Sequence, residues 1–148
     1  MIVRRTPCVG ICSTTYGDLV CRGCKRHAHE IVNWNGLDAE QRERIWLRLR
    51  ELRDGAVACY VDLDGVDDAA AIAARAAGCG VHLAEEETIG GYVYYLLRAG
   101  VLSGYPLRDE ARQRLSAVTA PALLALVDRE FEQRAVAQYE YAFRRGAR

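Results

Sequence analysis

Four cysteines within the first 24 residues constrain this chain more than any other feature. Their spacing is Cys8-x3-Cys12-x8-Cys21-x2-Cys24, and a glycine lies inside each pair. Spacers of two or three residues let the chain turn back, so that both sulfurs of a pair can point to one centre. The first residues lack the apolar run of a signal peptide, and we therefore expect a reducing cytoplasm, where clustered cysteines bind metal more often than they form structural disulfides. The spacing predicts a four-cysteine metal site.

The number of ligands leaves the identity of the metal open. Tetrahedral zinc and iron–sulfur clusters both accept four thiolates. A typical zinc ribbon has paired two-residue spacers and a longer loop between the pairs, whereas here the first spacer has three residues and the loop has eight. This departure makes a zinc ribbon less favoured, and both metals remain alternatives at this point.

The residues around the cysteines resemble a known family. The similarity covers about residues 6–53 and depends on an ordered set of segments: Pro7–Cys12, Cys21–Arg26, Glu30–Ile31, Trp34, Leu37 and Arg42–Leu49. These segments resemble the domain of unknown function 1289, found in small YdhL-like bacterial proteins described as predicted iron–sulfur proteins. The resemblance implies that the ligands of an iron–sulfur cluster are Cys8, Cys12, Cys21 and Cys24. It implies no substrate.

Other candidates near the cysteines have simpler explanations. His27 and His29 could replace a cysteine as ligand, but solvated histidines beside a basic stretch explain them better. The Cys21-x2-Cys24 spacing is also that of a thiol–disulfide redox pair, yet no strand precedes it as in a thioredoxin-type site. Cys59 and Cys79 are expected to be small buried residues.

No set of catalytic residues is evident. Val61–Val66 resembles the nucleophile motif of haloacid-dehalogenase-type phosphatases, in which an aspartate attacks phosphorus. Such an enzyme also needs a downstream lysine, and Lys25, the only lysine, lies upstream. We therefore expect a turn at Asp64-Gly65, and a binding protein rather than an enzyme.

Charge and hydropathy limit the partners. The 20 basic and 20 acidic residues cancel, so no overall field attracts nucleic acid or an anionic membrane. Arginines such as Arg144, Arg145 and Arg148 could contact phosphates, which keeps nucleic-acid binding as a lesser alternative. The longest apolar runs have six residues, far fewer than the roughly 20 that a membrane span needs. We expect a cytoplasmic protein with a protein partner.

The pattern of apolar residues predicts a mainly α fold with a small β element. The expected helices are Lys25–Trp34, Asp38 to a stop at Gly55, an alanine-rich helix capped by Asp67 or Asp68 and ending at Ala77, Ile89–Ala99, and two helices within Leu107–Arg145 that break before Pro121. The expected strands are Val57–Leu63 and Gly80–Leu83. A shift from basic to acidic composition near Asp54-Gly55 suggests a four-cysteine domain at residues 1–54 and a second region at 55–148.

These features combine into one expectation. A four-cysteine loop packs on two helices, and a small α/β segment and C-terminal helices follow. The chain would be a small metal-binding protein in electron transfer, sensing or support of a partner enzyme, with the helical C-terminal part as the partner surface. The alternative is a structural zinc adaptor for protein or RNA interaction, in which the metal replaces missing core.

Overall fold

A computed structural model describes residues 6–66, 68–81, 87–103 and 105–144 of the chain. Most of these residues belong to six α-helices: α1 (Ala28–Asn33), α2 (Ala39–Ala58), α3 (Ala69–Gly78), α4 (Ile89–Arg98), α5 (Asp109–Arg114) and α6 (Ala120–Arg144). Short 3₁₀ helices occur at Ser13–Tyr16, Trp34–Gly36 and Leu63–Gly65. The predicted mainly α character is confirmed. No helix in the described ranges is long and apolar enough to span a membrane.

The described residues divide into two compact units. The cysteine unit comprises those of Arg4–Leu52 and Glu130–Arg148, and therefore contains the cysteine segment, α1, most of α2 and the last part of α6. The central unit comprises those of Arg53–Arg129. The division into domains at residues 1–54 and 55–148 stays a prediction.

The cysteine unit has few buried aliphatic side chains. Its buried residues are Val20, Cys21, Cys24, Ile45, Leu49, Phe131 and Ala135 among the apolar types, and Ser13, Lys25, Arg26, His27 and Glu30 among the polar ones. Sulfur and charged groups thus make up much of an interior that apolar packing would usually fill. Such groups are stable when buried only if each has a suitable partner.

The central unit has a conventional apolar core. Its fully buried aliphatic side chains come from three helices and the segment after α2: Val57, Val61, Val93, Leu96, Leu97, Leu123 and Val127. Tyr94, also buried, donates a hydrogen bond from its hydroxyl to Asp128 Oδ1 at 2.7 Å. Most of the side chains at 92–97 therefore belong to the core of the central unit.

Several predicted helix boundaries are confirmed. The predicted start at Asp38 is confirmed: the Gln41 N–H donates to Asp38 Oδ1 at 2.8 Å, and the Asp38 N–H donates to Gln41 Oε1 at 2.9 Å. Asp68 accepts hydrogen bonds from the first amides of α3, whereas Asp67 lies outside the described residues. Gly100 follows α4 with φ of +83°, and α6 begins just before Pro121 after a break.

The predicted start of the first helix is too early. α1 begins at Ala28, because the preceding residues close a turn instead of a helix. The Cys21 N–H donates to the Arg26 carbonyl at 2.9 Å, and the Ala28 N–H donates to the Leu19 carbonyl at 2.8 Å. Lys25 has φ of +63°, a left-handed conformation that cannot continue into a helix.

The predicted strand at Val57–Leu63 does not form. α2 continues through Gly55 to Ala58, because Ala56 and Val57 are fully buried and their burial outweighs the cost of about 1 kcal/mol for a helical glycine. Val61 forms only an isolated bridge with Leu107. In the second predicted strand, Gly80–Leu83, neither Gly80 nor Val81 is in a β-strand. The other two residues of that prediction lie outside the described ranges.

Asp64 and Gly65 form a turn, as the sequence indicates. Leu63–Gly65 is a single 3₁₀ turn, and the Asp62 side chain accepts a hydrogen bond from the Gly65 N–H. Asp62 therefore stabilises the local backbone at this position.

Candidate metal centre

The first cysteine pair lies on an exposed loop. Cys8 is exposed and Cys12 is half-buried. The Gly10 N–H donates to the Cys8 sulfur at 3.4 Å, and Gly10 has φ of +91°, which glycine adopts without strain. The Cys12 sulfur lies 2.9 Å from Thr14 Oγ1. The Cys8 sulfur therefore accepts from a backbone N–H, and the Cys12 sulfur contacts a hydroxyl group.

The second pair is buried in a tight turn. Cys21 is only 1% exposed, and Cys24 is buried beside it. The Lys25 N–H donates to the Cys21 carbonyl at 2.8 Å, which closes the turn around the two-residue spacer. This turn follows from the Cys-x2-Cys spacing together with Gly23.

The Cys21 sulfur is a strong acceptor site. Burial raises the pKa of this thiol, but hydrogen bonds from the backbone N–H groups of Cys24, Ser13 and Gly23 outweigh burial and lower the pKa to about 7. Converging N–H groups of this kind stabilise a thiolate, the form of cysteine that binds metals. Cys21 is therefore the sulfur best prepared for metal ligation.

The Cys24 sulfur has a different environment. Burial raises the pKa of this thiol, although Arg26 opposes the increase with its side chain and its backbone N–H. The Arg26 Nε–H donates to the sulfur at 3.3 Å. Cys24 is thus paired with a cationic side chain that the sequence analysis did not single out.

The two cysteine loops pack directly against each other. The Cys21 thiol donates to the Ile11 carbonyl at 3.4 Å, and the Arg22 N–H donates to Ser13 Oγ at 2.8 Å. A Cβ atom on Gly23 would lie 2.5 Å from the Ile11 carbonyl oxygen, so only glycine allows this approach. The two loops that carry the cysteines are therefore packed directly against each other.

The four sulfurs do not form one close set in this structure. Among the described residues, the group of three or more potential ligand atoms close enough to share a cation is His27, His29 and Glu30, whose atoms lie within 4.8 Å of one another. Of the predicted ligands, Cys21 and Cys24 interact directly through their side chains. The assignment of all four cysteines to one metal stays a prediction.

The histidine group has a structural explanation. His27 caps α1: its side chain accepts from the Glu30 backbone N–H, and the Glu30 side chain accepts from the His27 N–H. Glu30 also pairs with Arg48, at 2.6 Å from Nη1 to Oε2 and 2.5 Å from Nη2 to Oε1. The Arg48 guanidinium already neutralises the Glu30 carboxylate, and it would repel a metal cation placed at this position. The solvated-histidine interpretation holds for exposed His29 and is wrong for His27, which is buried.

The remaining cysteines lie in the central unit. Cys59 is half-buried and donates to the Gly55 carbonyl at 3.4 Å, whereas Cys79 is exposed at the end of α3. The expectation of a buried residue is therefore wrong for Cys79, because the last turn of α3 leaves it at the surface. Neither these two nor the four clustered cysteines form a disulfide bond.

Comparison with known proteins agrees with the N-terminal resemblance. Residues 6–53 match the family described as "Protein of unknown function (DUF1289)", which confirms the resemblance drawn from the cysteines and the tryptophan. No curated protein and no solved structure matches the chain. The match includes all four clustered cysteines and ends within α2.

Proposed function

We propose that this chain is a small metal-binding protein in which Cys8, Cys12, Cys21 and Cys24 bind an iron–sulfur cluster. The observation that carries the proposal is the packing of two cysteine turns against each other at Ile11 and Gly23. A bound cluster would supply one-electron redox chemistry.

The four cysteine thiols are chemically suited to bind an iron–sulfur cluster. The four thiols are unbridged, and backbone N–H groups are directed at the sulfurs of Cys8 and Cys21. Hydrogen bonds to cluster sulfurs are one of the ways in which proteins adjust a reduction potential. The chemistry of the residues therefore fits four-thiolate ligation.

Exposed apolar side chains beside the cysteines support a protein partner. Ile11 is 69% exposed and Tyr16 is 91% exposed, and Leu19 is also mainly exposed. All three lie in the segment that carries the cysteines, and a contiguous exposed apolar patch marks an interaction surface. We propose that the protein acts in the cytoplasm in electron transfer, in sensing or as an accessory to a partner enzyme, with contact near the cysteine loops.

A structural zinc site is the second candidate. The small aliphatic core of the cysteine unit favours it, because bound zinc contributes folding free energy where apolar packing is insufficient. In this case the unit would act as an adaptor for protein or RNA interaction, and the metal would have no redox role.

The two candidates differ in colour and metal content. We expect protein purified without oxygen to absorb broadly in the visible range, to bleach on reduction, and to contain iron and acid-labile sulfide. A colourless protein with one equivalent of zinc would exclude the cluster and support the structural site.

Single substitutions test the ligands. We expect Cys21→Ser to lose most of the bound metal, because Cys21 is buried where N–H groups converge. Cys59→Ser is the matched control, since its hydroxyl can still donate to the Gly55 carbonyl, and it should retain full metal content. Metal analysis of both variants gives the answer, and equal loss would contradict the ligand assignment.

A further inference from the structure

Arg26 is a buried cation in direct contact with a proposed ligand. The residue is 4% exposed, and its Nε–H donates to the Cys24 sulfur at 3.3 Å. Its guanidinium carbon lies 4.8 Å from the centroid of the Trp34 ring. The side chain is thus held between an aromatic face and a sulfur atom.

The aromatic face is itself fixed to α2. Arg42 donates to the Trp34 carbonyl from Nε at 3.0 Å and from Nη2 at 2.9 Å, and its guanidinium also faces the Trp34 ring at 5.4 Å. The Arg26 carbonyl accepts the Cys21 N–H. Contacts through both backbone and side chain therefore determine where the Arg26 guanidinium lies.

The charge of Arg26 needs an anion. A buried guanidinium is costly unless a negative group compensates it. Among the residues that the structure describes, the Arg26 side chain donates a hydrogen bond to the Cys24 sulfur and lies over the Trp34 ring, and no carboxylate forms an ion pair with it. A thiol is neutral and compensates little, whereas a metal-bound thiolate carries the required charge.

We propose that Arg26 is a positioning residue that donates to the Cys24 thiolate when metal is bound and offsets its negative charge. This inference rests on the proposed metal site. Arg26 would fix the direction of the sulfur and favour the loaded state, as partners of metal ligands commonly do. Loss of such a partner typically weakens metal binding by about 10- to 100-fold.

Cobalt(II) is a suitable probe, because thiolate ligation gives it intense sulfur-to-metal absorption in the near ultraviolet. Metal-free protein is titrated with Co²⁺ under anaerobic conditions, in competition with a chelator. We expect Arg26→Gln to bind Co²⁺ about tenfold more weakly than wild type. Its charge-transfer band should move to longer wavelength, because the lost hydrogen bond no longer stabilises the sulfur lone pairs.

Two further variants complete the test. Arg26→Lys retains the charge without the planar Nε–H group, and should regain part of the affinity. Arg22→Gln is the control, because Arg22 lies between the same two cysteines but has an exposed side chain that pairs with Asp18 at 3.2 Å. Its affinity for Co²⁺ and the wavelength of its charge-transfer band should remain as in wild type. Circular dichroism checks that each variant is folded. If Arg26→Gln is unfolded, the test uses Arg26→Lys instead, and a charge-transfer band at the wild-type wavelength in that variant would overturn the role of Arg26.

The outcomes separate this inference from the proposed function. If wild type binds Co²⁺ without sulfur-to-metal absorption, both the thiolate site and the role of Arg26 are overturned. If wild type shows the band and both Arg26 variants match it in affinity and wavelength, only the role of Arg26 is overturned. Equal weakening in Arg22→Gln and Arg26→Gln would also overturn it, since a general loss of positive charge would then be sufficient.

Discussion

His27 holds the start of α1 as a neutral, buried side chain. Burial lowers its pKa to about 4, against the opposing effect of Glu30. Its ring packs edge-on against Tyr139 with centroids 4.9 Å apart, and its cap role requires an unprotonated ring nitrogen that can accept from the Glu30 N–H. Protonation would therefore remove the cap and charge a buried ring, a cost that the Glu30 carboxylate, 3.5 Å from Nδ1, offsets only in part.

The cysteine unit should lose stability as the pH falls from 7 to 5. The pKa of His27 in the folded state lies below its ordinary value near 6.5, so the unfolded chain binds the proton first. The loss begins as the pH falls below about 6.5 and ends near the folded pKa of about 4. We expect a decrease of about 1–2 kcal/mol in the free energy of unfolding at pH 5. Urea unfolding followed by tryptophan fluorescence measures it, since Trp34 and Trp46 both belong to this unit.

His27→Asn is the matched control. Asparagine is a preferred N-cap residue and can accept the same backbone hydrogen bond without titrating. Glu30 does not interfere at these pH values: burial raises its pKa, but hydrogen bonds from Arg48 outweigh burial and lower the pKa below its ordinary value of 4.5. An equal loss of stability in wild type and His27→Asn would assign the pH dependence to other groups.

Cys21 and His27 differ in how far their roles could be predicted from the sequence. The cysteine spacing indicated a local turn at each pair, because a short spacer lets the chain turn back within a few residues. The burial of His27 depends on Tyr139 and Phe143, which are more than 100 residues away in the chain. Histidine is also not among the preferred N-cap residues, so no local signal identified its role.

At the level of elements, the start of α4 depends on two glycines for a steric reason. A Cβ atom on Gly90 would lie 2.7 Å from Asp54 Oδ1, and one on Gly91 would lie 2.3 Å from Glu87 Oε1. Both carboxylates are held by the buried Arg53, whose Nη2 lies 3.0 and 2.7 Å from them. Glycine at these positions lets carboxylates approach the helix, although it weakens the helix itself.

Gly91→Ala should destabilise the protein despite the higher helix propensity of alanine. The new methyl group would displace the Glu87 carboxylate from Arg53, and overpacking of this kind costs about 1–3 kcal/mol. Gly78→Ala is the control, because no atom lies within 4 Å of its Cβ position in the last turn of α3. It should stabilise by up to about 1 kcal/mol. Thermal unfolding followed by circular dichroism compares the two, and a gain in stability for Gly91→Ala would contradict the steric argument.

Helix capping was readable from the sequence, whereas helix ends set by burial were not. Asp38 with Gln41 and Asp68 both mark starts that the structure confirms. The apolar run after Gly55 suggested a strand, because a short buried run has no distinctive period. In the structure the helix continues to Ala58, and Ala56 and Val57 are fully buried in the central unit.

At the scale of the whole molecule, the two units differ in what fills their interiors. The central unit has aliphatic packing, with Val93, Leu96 and Leu97 almost fully buried. The cysteine unit buries Cys21, Cys24 and several charged side chains in place of aliphatic groups. The grouping of the last part of α6 with the cysteine segment depends on long-range contacts, such as Lys25 over the Phe131 ring at 5.0 Å, and spacing along the chain cannot indicate such contacts.

Removal of metal should therefore affect the two units unequally. Hydrogen–deuterium exchange of metal-loaded and metal-depleted protein should show faster exchange by about tenfold or more in α1 and in the 3₁₀ turn at Ser13–Tyr16, because bound metal supplies folding free energy where the apolar core is small. Amides in α4 should exchange at the same rate in both samples, since the surrounding core contains no cysteine ligand. Unchanged protection of α1 after metal removal would mean that the cysteine unit is stable through its own packing, and the metal would then have a redox role without a structural one.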